Sequence, residues 1–275
     1  MPELPEVEII RRHLDAELRE RTIRKVRIRR RDLVLNLPTV RALAGKLEGR
    51  RICRVDRRGK NLLFRLDGEA VLQAQIRMTG RFALGRRRPD VAIYRHIVAI
   101  FELDDGRNLY YDDVRRLGGF RWLEPEEWAA LDRSLGPEPL AASFTARRLE
   151  TVLEGTRAPI KNALLDQQRI AGIGNIYASE VLFRARIHPE RAGGSLETRE
   201  IAALHRSIRT VLRDALQAAG TTFRDFRAVN GRSGSYQHSL SVYGREGEPC
   251  RSCGRAVERS VQAGRSTFLC ASCQK

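Results

Sequence analysis

The sequence predicts an α+β chain of several units: an N-terminal helix, an antiparallel β-sandwich, a run of helices and a closing zinc ribbon. Three observations predict it. Apolar residues recur at helical spacing at the start of the chain, at period two from about residue 22 to 122, and at helical spacing again from "EPEEWAALDRSL" onward. Two Asp-Gly pairs sit between alternating apolar runs, in "NLLFRLDGEAVLQAQI" and "IVAIFELDDGRNLYYDD", which is the strongest short-range hairpin signal. Four of the five cysteines fall at the C-terminus as two C-x-x-C pairs.

The first element is a helix opening at "MPELPEVEII". Pro2 and Pro5 suit a helix start, where no backbone N–H is needed, and Glu3 and Glu6 suit the positive end of the helix dipole. Leu4, Val7, Ile10, Leu14 and Leu18 then form one apolar stripe. Capping alone accounts for every one of these residues. Strands follow around Val26–Ile28 and Ile52–Val55 and through the two hairpins, with "ALGRRRPD" as a basic loop between strands. "GPEPL" (136–140) reads as a linker, and helices are expected at 145–154, 159–170, 175–186 and 197–219. "GTTFRDFRAVNGRSGSYQHS" is a long polar, glycine-rich loop of the kind that carries function. There are no internal repeats and no low-complexity tail.

Charge narrows the partners. The 275 residues carry 51 Lys+Arg against 34 Asp+Glu, a formal charge of +17. Most of the excess is arginine, whose planar fork matches phosphate, so nucleic acid is the default partner. No apolar run reaches membrane-spanning length, and the acidic N-terminus is no signal peptide, so a cytoplasmic protein without a membrane partner is expected. Cys250, Cys253, Cys270 and Cys273 then fit one structural zinc ion (Zn2+) better than two disulfides or a redox dithiol. Two short turns supply four thiolates and leave no open position for catalysis. Cys53 reads as a small buried apolar residue.

"AGIGNIYASE" places Asn175 near a helix N-terminus, where unpaired amides can hold a phosphate. Taken with "PELPEVE", "RRGKNLL", "GPEPL" and "VYGREGEPCRSCG…STFLCASCQK", it makes the whole chain resemble bacterial formamidopyrimidine-DNA glycosylases. The resemblance implies a β-sandwich lobe, a helical lobe with a helix–two-turn–helix element, and a zinc finger. It implies a bifunctional DNA glycosylase and AP lyase that removes oxidised purines (8-oxoguanine, formamidopyrimidines) and cleaves the strand by β,δ-elimination. Pro2, once Met1 is removed, would be the Schiff-base nucleophile, and Glu3 the catalytic acid. Glu6, on the same helical face, would order water or the amine, and Lys60 would contact the phosphate beside the lesion. Asn175, Tyr243 and Arg265 match further phosphate contacts, and the loop from Thr221 to His238 the segment that closes over the everted base. Met78 would fill the void, Arg115 would hold the orphaned base, and residue 117 would wedge between base pairs.

Some positions depart from the family pattern. Gln75 stands where a histidine is usual, Leu117 replaces an aromatic residue, and the "HDH" motif is reduced to His96. These departures bear on lesion choice and base eversion. Two rival readings remain: an endonuclease VIII-like glycosylase for oxidised pyrimidines, against which "PELPE" argues, and a non-catalytic zinc-ribbon DNA-binding protein, against which intact Pro2, Glu3 and Lys60 argue. The expected domains are a catalytic β-sandwich (1–136), a helical DNA-binding domain (137–240) and a zinc ribbon (241–275). The expected form is a bacterial, nucleoid-associated monomer acting on double-stranded DNA with oxidised bases or abasic sites.

Overall fold

The computed structural model describes residues 2–222, 229 and 233–275. The chain forms two compact units: Met1–Arg133 with Ala219–Ser235, and Ser134–Ala218 with Tyr236–Lys275.

In the first unit, helix α1 (Leu4–Leu18) opens on a capping box between Glu3 and Glu6 and buries its whole predicted stripe. Fully burying such a side chain contributes about 1.5–3 kcal/mol, so five in register fix the helix face firmly. Strand β1 (Arg21–Ile28) follows. Helix α2 (Val40–Leu47) then interrupts the region expected to be all sheet. Thr39 caps it by accepting the Ala42 amide at 3.0 Å, and Leu43 and Leu47 anchor it. The remaining strands are β2 (Arg51–Arg58), β3 (Asn61–Leu66), β4 (Val71–Gln75), β5 (Gly80–Gly85), β6 (Ile97–Leu103), β7 (Asn108–Asp113) and β8 (Gly119–Leu123).

All pairings are antiparallel, in the order β5-β7-β6-β1-β2-β3-β4-β8. Strand β1 belongs to both layers. Arg21 and Thr22 pair with β2, and Ile23 through Ile28 pair with β6 across a bulge between Ile23 and Lys25. The layers meet through aromatic rings: Phe64 with Phe82 at 6.1 Å, Phe101 with Phe120 at 5.3 Å, and Tyr111 with Phe120 at 5.1 Å. Both Asp-Gly pairs turn hairpins, with Gly68 at φ 71° and Gly106 at φ 79°. Helix α3 (Pro125–Ser134) lays Trp128 and Leu131 on Leu63, Val71 and Leu123. Cys53 is half-buried rather than buried, because it alternates outward on β2.

The second unit holds α4 (Ala146–Leu153), α5 (Ile160–Leu165), α6 (Asn175–Ala185) and α7 (Thr198–Gln217). Helix α5 stops short of the expected residue 170 because the Asp166 carboxylate accepts the Gln168 amide at 2.9 Å and turns the chain. "GPEPL" is not a loose linker. Gly136 is buried and donates its amide to the Gln167 carbonyl at 2.9 Å, and a Cβ there would lie 2.3 Å from the Arg169 backbone. The chain closes with the hairpin of β9 (Glu258–Gln262) and β10 (Arg265–Leu269). Among the described residues no helix is long and apolar enough to cross a membrane.

Candidate functional site

Pro2, Glu3 and Glu6 are all buried at the start of α1. Glu6 accepts the Glu3 amide at 2.9 Å through Oε2 and the Thr221 amide at 2.8 Å through Oε1. Its carboxylate therefore holds the helix start and the segment at Thr221 together. The same segment is tightly packed. Gly234 donates to Thr222 Oγ1 at 2.9 Å, and a Cβ at Gly234 would lie 2.1 Å from the Gly220 carbonyl. The start of the expected closing loop thus lies beside Glu6, with Gly234, farther along the loop, packed on that start. Met1 and, within that loop, residues 223–228 and 230–232 lie outside the described residues.

Lys60 sits in the two-residue turn Gly59-Lys60 between β2 and β3, with Arg58 facing Asn61 across it and Gly59 at φ 57°. The turn is supported from below. Arg57 donates to the Gly59 carbonyl at 2.9 Å and pairs with Glu8 of α1 at 3.2 Å. Glu8 also pairs with Arg11 at 2.7 Å and Arg12 at 2.9 Å. Burial raises its carboxyl pKa, but the hydrogen bonds from Arg11 and Arg12 and the charge of Arg57 outweigh that and hold it below the ordinary 4.5.

Met78 and Arg115 touch, with Arg115 Nη1 3.2 Å from Met78 Sδ. Met78 is 39% exposed, Val114 47% and Leu117 49%, so Leu117 is not a core residue. Gln75, in the place of the family's usual histidine, accepts from Arg77 Nη2 at 2.9 Å. His96 is exposed, and its backbone amide donates to Asp112 at 2.5 Å.

In the second unit Asn175 is the first residue of α6, and its Nδ2 donates to the Ser266 carbonyl at 2.9 Å. Lys161, fully buried, donates to the same carbonyl at 2.9 Å and to Thr267 Oγ1 at 2.7 Å. Arg265 stands exposed beside this anchored stretch, after a turn in which Ala263 (φ 47°) and Gly264 (φ 72°) are both left-handed. Tyr243 packs edge-on against Phe268 at 5.0 Å. Its amide, with those of Ser241 and Val242, is accepted by the buried Glu180 at 2.7–2.9 Å. Burial pushes the Glu180 carboxyl up, and the three amides oppose that shift.

The four cysteine sulfurs lie within 4.8 Å of one another. Zinc–sulfur bonds of about 2.3 Å in a tetrahedron require edges of about 3.8 Å, so this cluster fits one zinc ion. Cys253 and Cys270 are 3.5 Å apart, and Cys250 and Cys273 4.0 Å. An amide hydrogen bond from Arg255, then those from the neighbouring thiols, bring Cys253 down to about 7.

Sequence reasoning missed Thr79, Asp113, Lys161 and Glu180. Each is a buried polar residue whose partners are distant in sequence or spread over a loop; Glu180 closes the "AGIGNIYASE" motif, but the motif does not show which amides it holds.

Comparison with known proteins covers the chain from end to end. The formamidopyrimidine-DNA glycosylase N-terminal domain model matches residues 1–120. The H2TH domain model of the same glycosylase matches 135–227, and the zinc finger found in FPG and IleRS matches 247–275. The formamidopyrimidine-DNA glycosylase of Heliobacterium modesticaldum is 44% identical over 283 residues, covering 100% of both chains. That of Chloroflexus aggregans is 46% identical over 275 residues, covering 100% of this chain and 98% of the relative. Among solved structures, MutM (Fpg) from Thermus thermophilus superposes with a TM-score of 0.87 at 42% identity, covering 99% of this chain and 98% of that one. Lactococcus lactis Fpg in complex with abasic-site DNA superposes with a TM-score of 0.90 at 33% identity, covering 99% of each chain.

Proposed function

The chain belongs to the formamidopyrimidine-DNA glycosylase family, and we propose that it excises oxidised purines from duplex DNA and then cleaves the strand. The observation that carries this reading is the N-terminus: Pro2 and Glu3 begin a buried, capped helix in a chain matched over its full length by formamidopyrimidine-DNA glycosylases. Solved relatives include Lactococcus lactis Fpg bound to abasic-site DNA and to Fapy-dG DNA, and lesions of both kinds are the substrates proposed here.

In the proposed reaction the Pro2 nitrogen, freed by removal of Met1, attacks the sugar C1′. The C1′–N bond breaks, and its electron pair leaves with the base, which takes up a proton as the Pro2 nitrogen gives up its own. The sugar ring opens as Glu3 delivers a proton to the ring oxygen, leaving an iminium between Pro2 and C1′. That iminium is an electron sink. Loss of a C2′ proton expels the 3′ phosphate, and a second elimination expels the 5′ phosphate. Water then releases the sugar fragment from Pro2. A free α-amine has a pKa of about 7.7–8.0, so part of the population is unprotonated near neutral pH. The positive end of α1 favours the neutral form further.

Lys60, His96, Asn175, Tyr243 and Arg265 are assigned to the DNA backbone, and Met78, Arg115 and Leu117 to the space the base leaves. Glu6 is assigned to aligning the helix start with the segment at Thr221. The functional division is residues 1–136 for chemistry, 137–240 for DNA binding and 241–275 for the ribbon. The ribbon zinc is structural: it closes a hairpin too small to fold on its own core. A cytoplasmic, nucleoid-associated monomer fits this work.

Borohydride trapping tests the reading. The protein incubated with lesion duplex and borohydride should yield a covalent adduct that peptide mass spectrometry places on Pro2. A chain with Met1 verifiably retained that still cleaves lesion DNA would refute the mechanism. Comparing 8-oxoguanine with thymine glycol duplexes sets the lesion class.

A further inference from the structure

The exposed cluster of Met78, Val114, Arg115 and Leu117 stands on a buried polar knot. Asp113, the last residue of β7, is 0% exposed. Its Oδ1 accepts the Thr79 hydroxyl at 2.5 Å and the Arg116 amide at 3.1 Å. Its Oδ2 accepts the Gly118 amide at 3.0 Å and the Tyr111 hydroxyl at 3.3 Å. Thr79 Oγ1 in turn accepts the Arg115 amide at 3.1 Å. One carboxylate and one hydroxyl thus take three backbone amides of a four-residue stretch, Arg115–Gly118.

The surrounding backbone leaves this loop little freedom. Gly80 and Asp113 are register partners on β5 and β7, which places the Met78 turn directly beside the loop. A Cβ at Gly118 would lie 2.2 Å from the Gln75 carbonyl and 2.3 Å from the Tyr111 hydroxyl. Arg116 is held at φ 51° and Arg77 at φ 47°, conformations that L-residues keep only when their surroundings impose them. Burial, followed by the charge of Asp113, pushes the Tyr111 hydroxyl well above its ordinary 10, so it stays a proton donor to the knot. Asp112, on the opposite face of β7, is committed elsewhere, to Arg81 at 2.6 Å and the His96 amide.

The contrast between anchor and tip is the informative feature. Apolar side chains that stand exposed on a loop gain nothing from the folded state, yet the backbone beneath them is fixed by buried hydrogen bonds. Such an arrangement suits a rigid wedge that must be in shape before its target opens. We infer that Thr79 and Asp113 are positioning residues that lock the Met78 turn and the Arg115–Leu117 loop into one preformed insertion element. The inference rests on the glycosylase reading. Void filling, capture of the orphaned base and wedging then occur as one movement of one body.

Thr79→Val removes the hydroxyl and keeps the shape, Thr79→Ser keeps the hydroxyl, and Asp113→Asn weakens the knot from its other side. Each is measured for thermal stability and for single-turnover excision of 8-oxoguanine from duplex DNA. Two further readouts are the fluorescence of 2-aminopurine opposite the lesion and borohydride trapping at an abasic site in a single-stranded oligonucleotide. A single strand has no stack to fill and no partner base to hold. For Thr79→Val the expected result is duplex excision lowered about 10- to 100-fold, the scale of an ångström-level misplacement. The 2-aminopurine signal should weaken, single-strand trapping should match wild type, and Thr79→Ser should restore excision. Duplex excision and 2-aminopurine signal equal to wild type in folded Thr79→Val overturn the inference, as does an equal loss of single-strand trapping or a failure of serine to rescue. Wild-type protein that neither traps nor excises overturns the glycosylase reading instead.

Discussion

Lys161 fixes the ribbon hairpin to the helices of its unit, and Lys161→Met isolates that role. The ammonium is fully buried and donates to the Ser266 carbonyl and to Thr267 Oγ1. Hydrogen bonds to charged groups contribute about 1.5–3 kcal/mol each, so two amount to about 3–6 kcal/mol. Methionine fills a similar volume and removes a buried charge whose desolvation costs several kcal/mol, which offsets much of that sum. The Ser266 carbonyl and the Thr267 hydroxyl each keep another partner. Ser266 keeps Asn175, and Thr267 still donates to Gln262 at 2.9 Å. The expected net loss is about 2 kcal/mol, roughly a thirty-fold shift from docked to undocked ribbon. Amide hydrogen exchange in β9 and β10 should accelerate by that factor while zinc content, measured with a chromophoric chelator, stays at one per chain. DNA affinity should fall for damaged and undamaged duplexes alike, since Arg265 is assigned to the backbone. A cycle with Asn175→Ala should show coupling, because both side chains share one carbonyl. Unchanged exchange protection at Thr267 and Phe268 would refute this account.

Other perturbations have equally definite outcomes. Glu8 has a folded-state pKa below its ordinary 4.5, so its contribution to stability is present above about pH 4.5 and is lost as pH falls through the lower folded value. Chemical denaturation across pH 2–6 should therefore show a steeper acid loss in wild type than in Glu8→Gln, and parallel curves would discard the Glu8–Arg57 support of the Lys60 turn. Cys270→Ser, or chelation, should release zinc and weaken all DNA binding, and unchanged affinity in a metal-free preparation would remove the ribbon from the interface. Leu117→Ala should leave thermal stability nearly unchanged, as expected for an exposed side chain, while lowering lesion excision more than nonspecific affinity. Excision equal to wild type would move the wedge elsewhere in the loop.

Local periodicity and local chemistry carried most of the fold. The stripe from Leu4 to Leu18, the two Asp-Gly hairpins and the four cysteines are each set by residues a few positions apart, and the structure has all of them. Helix α2 was not legible because a helix of eight residues offers only Leu43 and Leu47 as a buried face. "GPEPL" has the composition of a loose linker, yet the missing Cβ at Gly136 is what permits close packing on Arg169. At the candidate site, the position of Glu6 on the helix start was readable. Its bond to the Thr221 amide, 215 residues away, was not. Lys161 and Asp113 look in the sequence like any surface charge, and only three-dimensional packing makes them anchors.

Because β1 is shared by both layers, it also dictates an order of assembly. Its first two residues need only β2, which closes within about thirty residues along the chain, whereas Ile23–Ile28 must wait for β6 at Ile97–Leu103. Loop closure over that longer separation costs more entropy and slows folding. During synthesis the layer of β2, β3 and β4 can pair soon after it emerges. The second half of β1 then stays an open edge until β6 has been made, which begins 22 residues after β4 ends. Neither layer can be excised intact, since β1 supplies the bordering strand of both. Unfolding of the sandwich should accordingly be a single cooperative event, with amides of β3 and β7 exchanging at a common limiting rate despite lying in different layers.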